Sequence, residues 1–147
     1  MVYQFKLEAL RKYRQHQEEI EQKKLAEAQR NLEAALDQLN AHLARRERTE
    51  EELQRCQQQS ATGQQLLVYL HFLQKLTRDI ESQQEKVAQL RNTCDLARED
   101  VLAAMKKRKA LDKLKEKGLK RHLENLDHEE EKFISEMAIS RFNHNHR

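Results

Sequence analysis

The sequence predicts an all-α protein: a long antiparallel two-helix coiled coil, an α-hairpin whose C-terminal helix overhangs its partner. Apolar residues recur at steps of four and three from Tyr69 through Leu73, Leu76, Ile80, Val87, Leu90, Cys94, Ala97, Val101 and Ala104 to Leu111, with Gln83 and Arg108 the polar occupants. This is heptad spacing on one continuous helix, and its narrow seam needs a second helix as cover. The 147 residues include no Pro, two Gly and 36% charged residues, where a globular domain would carry about 5% Pro and about 7% Gly to make its turns. Ser60, Ala61, Thr62 and Gly63 form the cluster of turn formers at which the chain can reverse, Gly63 being free to take positive φ.

Helix one is expected over about 4–59, at about 1.5 Å of rise per residue. It opens on FKLEALRKYR, where Phe5, Leu7, Leu10 and Tyr13 make an apolar edge among Lys6, Arg11, Lys12 and Arg14. Its register drifts through Ile20 and Leu25, settles at Leu32, Leu36, Leu39 and Leu43, passes the polar Arg46 and Glu50, and ends at Leu53. After the turn at 60–63, helix two is expected over about 64–141 with a frayed tail at 142–147, so that residues 1–147 form a single hairpin. A reversal there pairs positions whose numbers sum to about 123, setting Leu43 against Ile80, Leu36 against Val87 and Leu32 against Leu90. Gln83 then opposes Leu39 or Asn40, either as a register-fixing amide or as a tolerated polar residue near the surface.

Helix one runs out opposite about residue 119, and the ladder of helix two is expected to slip in register near Leu114 to Leu119. It resumes at Leu119, Leu123, Leu126, Phe133 and Met137, with no helix of this chain left to cover it. Covering each such side chain is worth about 1.5–3 kcal/mol, so a partner protein or a second copy is expected there. Charge changes sign at the same place. Residues 105–121 carry nine Lys or Arg against Asp112 and Glu116, and residues 122–136 carry six acids against Lys132. Opposed blocks of this kind suit electrostatic docking.

Other classes find little support. No apolar run reaches the roughly 18 residues of a membrane span, and the charged N-terminus is unlike a signal peptide, so a cytosolic protein is expected. Cys56 and Cys94 would lie ~40 Å apart along such a hairpin, beyond a disulfide. The seven histidines show no ligand or triad spacing, with His144 and His146 in the tail, and Gly63 and Gly118 stand alone rather than in a phosphate loop. The basic stretch lacks stacking aromatics, against a nucleic-acid partner. No enzyme activity, cofactor or metal is expected.

Four stretches in order, FKLEALRKYR at 5–14, VYLHFLQKLTRDIESQ at 68–83, KKRKALDKLKEK at 106–117 and EEEKFISEMAISR at 129–141, resemble the flagellar export protein FliJ family over nearly the whole chain. Ser135 stands where that family's ending would have Asp before Glu136. The resemblance implies a stalk-like coiled coil of the type III export apparatus. Its ends would enter the hexameric export ATPase FliI, its middle would contact the cytoplasmic part of the export-gate protein FlhA, and it would handle substrate chaperones. Membrane association would come only through partners, at the cytoplasmic side of the inner membrane. The ATPase-binding end is accordingly expected at Lys6, Arg11, Lys12, Arg14, Leu119, Leu123, Leu126, Glu130, Phe133, Glu136, Met137 and Arg141. The export-gate stripe is expected at Phe72, Leu76, Asp79 and Gln83, with Asp79 and Gln83 departing from the family pattern. The alternatives are an injectisome-type stalk protein and a structural homodimeric coiled-coil spacer.

Overall fold

The computed structural model describes residues 2–145. Two long helices pack against each other, α1 at Glu8–Gln58 (51 residues) and α2 at Gly63–Asn145 (83 residues), and no strand occurs among the described residues. Residues 142–145, assigned from the sequence to a frayed tail, are helical; positions 146 and 147, including His146, lie outside the described residues. By contacts the chain divides into two compact units, Ile20–Val101 and Met1–Glu19 with Leu102–Arg147.

The start of α1 is set by backbone bonds from Glu8 N–H to the Phe5 carbonyl (3.1 Å) and from Arg11 N–H to the Leu7 carbonyl (2.8 Å). An acidic residue in that first turn suits the positive end of the helix dipole. The start of α2 is a capping box. Thr62 Oγ1 accepts from Gln65 N–H at 3.2 Å, and Gln65 Oε1 accepts from Thr62 N–H at 3.1 Å, satisfying two donors that the helix cannot satisfy itself. Gly63 is therefore the first residue of α2 and not a left-handed turn residue, and no described residue has positive φ.

Within Ile20–Val101, α2 presents the expected ladder: Leu76, Ile80, Val87, Cys94 and Val101 are buried. On α1 the deepest positions are Ala28, Ala35 and Thr49, while Leu32, Leu36, Leu39 and Leu43 are half-buried. The deepest positions are thus held by small residues on α1 and mostly by larger ones on α2. Gln83 is 9% exposed and spends its amide across the interface, its Nε2 donating to the Ala35 carbonyl at 2.9 Å and to Gln38 Oε1 at 3.4 Å. It is an interior amide that ties α2 to the backbone of α1, since a buried polar group left unpaired would cost about 1–3 kcal/mol. Thr49 is buried with its hydroxyl bonded to the Arg45 carbonyl at 2.7 Å. Near the turn Cys56 Sγ and the Tyr69 hydroxyl are hydrogen-bonded at 3.6 Å, and Cys56, as a second acid beside the phenol, disfavours the phenolate and pushes Tyr69 up from its ordinary range. Both cysteines are free.

Candidate partner-binding surfaces

In the unit formed by residues 1–19 and 102–147, the helices are joined by charge. Lys115 Nζ lies 3.1 Å from Glu8 Oε2. The Arg11 guanidinium grips Glu8 in bidentate fashion at 2.7 and 3.0 Å and reaches Asp112 at 3.4 Å. Asp112 in turn takes Arg108 Nη1 at 2.6 Å, and Arg108 Nε is bonded to the buried Glu18. Arg11, with Lys115 adding to it against the effect of desolvation, holds the Glu8 carboxyl down at about 2. Glu8 and Glu18 respectively push the Arg11 and Arg108 guanidinium groups up. Arg108, read from the sequence as a polar interruption of the ladder, is thus joined to an acid on the facing helix.

The expected slip of α2 near Leu114 to Leu119 does not occur. Leu114 and Leu119 are exposed, and the covered face continues at heptad steps through Leu111, Lys115, Gly118 and His122. The cover beyond α1 is the non-helical segment before Glu8. The Tyr3 ring lies 5.5 Å from the His122 ring at 39°, and a Cβ at Gly118 would collide with the Tyr3 hydroxyl. With glycine at 118 the Tyr3 ring lies directly against the helix, and any larger residue there would have to push the Tyr3 side chain aside. His122 Nε2 is buried without a hydrogen-bond partner among the described residues.

Past His122 the cover ends. Leu126 is half-buried, and every residue from 127 to 145 is exposed. The expected stripe therefore stands largely in solvent, with Leu123 at 52% and Phe133 at 61% exposure and Leu119, Met137, Glu130, Glu136 and Arg141 exposed as well. Ile134, Ile139 and Phe142 are exposed too and did not enter the sequence reading. Ile134 follows Glu130 by four and precedes Met137 by three, so a face of ordinary helical width would have included it where a strict seam does not.

The N-terminal bases divide. Lys6 and Lys12 are exposed, whereas Arg14 is half-buried with its guanidinium 5.6 Å from the Tyr13 ring centroid. Arg11 is half-buried and committed to Glu8 and Asp112, so it is a clasp between the helices and not a free docking cation.

The expected export-gate stripe is broken by burial. Leu76 (3% exposed) and Gln83 lie in the interface with α1, because both occupy the seam of α2. Phe72 and Asp79 are half-buried at its edge. The Arg45 guanidinium sits 5.2 Å from the Phe72 ring centroid, a cation–π distance. Leu67, Val68 and Leu70, close by in sequence, are exposed.

Among the described residues no helix is long and apolar enough to cross a membrane, and no group of three or more His, Cys, Asp or Glu is placed to hold a metal ion. Comparison with known proteins matches residues 3–147 to the family described as Flagellar FliJ protein. No curated protein and no solved structure matches the chain.

Proposed function

The chain belongs to the flagellar FliJ protein family, and from that premise we propose that its exposed C-terminal segment of α2 is the part that engages the export ATPase. The family has a role in flagellar, type III protein export and is a non-enzymatic one. The observation that carries the finer reading is the run of residues 127–145, exposed throughout yet bearing Phe133, Ile134, Met137 and Ile139. A helix this apolar and uncovered calls for an occupant. A hexameric ATPase of the FliI kind is the partner that the family supplies, with Lys6 and Lys12 as the exposed N-terminal bases that assist.

The chain itself acts without catalysis, as an export component at the cytoplasmic face of the inner membrane, and is held there by its partners. For the export gate, of the FlhA kind, Phe72 is the contact residue we retain, since Leu76 and Gln83 are used inside the hairpin. Handling of substrate chaperones belongs to the same role.

Deleting residues 127–147 tests the ATPase reading, because that cut leaves Tyr3, Gly118 and His122 in place. Circular dichroism of the shortened chain should retain a cooperative helical melt, while binding to and stimulation of the ATPase are lost. A shortened chain that still binds and stimulates normally would sink the assignment.

A further inference from the structure

We infer that α2 carries a second interaction face, made for an antiparallel copy of itself. From Leu102 to Phe142 a row of exposed residues recurs at steps of three and four, keeping within an arc of about 80° at about 100° per residue. The row lies opposite the covered face of Leu111, Lys115 and His122, so a partner approaches from the uncovered side. It is also distinct from the stripe of Leu119, Leu126 and Met137, which lies about 125° round the helix.

The occupant is identified by charge. The first part of the row is basic, with Lys113, Lys117 and Lys120, and the next part is acidic, with Glu124, Asp127 and Glu131. The steps between members read the same in both directions along the chain. Two copies related by a two-fold axis at residue 122 therefore set Lys113 opposite Glu131, Lys117 opposite Asp127 and Lys120 opposite Glu124, each pair occurring twice. The diagonal neighbours Lys113 with Asp127 and Lys117 with Glu124 are also of opposite sign, and like charges meet only diagonally at the axis, Lys120 with Lys120 and Glu124 with Glu124. At the two ends the exposed Leu102 meets the exposed Phe142, and the outer lysines Lys106 and Lys109 meet the neutral Ala138 and Ser135. A parallel pairing would instead set lysine on lysine and acid on acid.

Exposed ion pairs are individually weak and are screened by salt, so the dimer is weak and sensitive to ionic strength. Self-association through this face does not depend on the ATPase contact proposed above, and either can fail while the other stands.

Sedimentation equilibrium of the full chain alone tests it. The chain should dimerise at low salt and become monomeric at about 1 M salt, where the Debye length falls to about 3 Å. Lys113→Glu turns two attractive pairs into two repulsive ones and should weaken association roughly tenfold. Lys113→Glu combined with Glu131→Lys should restore it. A monomer at low salt overturns the inference, as does a Lys113→Glu chain that dimerises unchanged. A double variant that stays monomeric excludes the antiparallel register, and a dimer that persists at high salt points to the apolar stripe as the self-association face instead.

Discussion

Gly118 lies inside a long helix, where glycine is about 1 kcal/mol less favourable than alanine. Its place there follows from Tyr3, whose hydroxyl occupies the space a Cβ would need. Tyr3 belongs to the short segment ahead of α1, so it can move at modest cost. Gly118→Ala should therefore displace Tyr3 from His122, removing the ring-current shift on the His122 protons, while the melting temperature holds or rises because the helix gains propensity. A variant that melts several degrees lower would show that the Tyr3 contact contributes more than helix propensity returns. His122 and Gly118 also show why this part of the interface was hidden in the sequence. Neither is a large apolar residue, so a ladder read from hydrophobicity passed over both and jumped to Leu119 and Leu123.

At the scale of the helix, the N-terminus of α2 depends on two residues, Thr62 and Gln65, whose side chains cap each other's backbone N–H groups. Thr62→Ala removes the acceptor for Gln65 N–H and should cost about 1 kcal/mol, seen as a lower midpoint in urea with an unchanged slope, whereas Thr62→Ser should recover most of the loss. If Thr62→Ala is neutral, water is replacing the cap and the turn is set elsewhere. The place of the reversal was legible because Ser60 to Gly63 is a dense cluster of turn formers, although the freedom of Gly63 to take positive φ is not used and the Thr62–Gln65 capping box sets the start of α2. The α2 seam was legible from Leu76 to Val101, where its members are mostly large and apolar. The α1 seam was not, because Ala28, Ala35 and Thr49 occupy its deepest positions and Glu18 faces Arg108. Small and charged residues carry little hydrophobic signal, and their burial is decided by what the facing helix brings. The same cause split the predicted sites: the exposed stripe beyond His122 was readable from apolar spacing alone, but whether Leu76, Gln83 and Arg11 face a partner or the neighbouring helix was not.

At the scale of the whole molecule, α2 is much longer than α1, and the difference emerges at its C-terminal end as helix without cover. In proteins most helical stability comes from packing an apolar face, so a partner that covers this segment also adds to the stability of its helix. On the proposed engagement with the ATPase, Leu123 and Phe133 supply affinity, and the exposed lysines and acids supply orientation and rate. Leu123→Ala with Phe133→Ala should weaken ATPase binding by at least roughly tenfold, equally at low and high salt, since about 1.5–3 kcal/mol of transfer free energy is at stake in each fully covered side chain. Lys6→Glu with Lys12→Glu should instead slow association at low salt and have little effect at high salt. Stopped-flow association and equilibrium titration at both salt concentrations separate the two. A double alanine variant whose defect disappears at low salt would mean that charge, not apolar surface, holds the complex, and the stripe would then lose its claim to be the anchoring face.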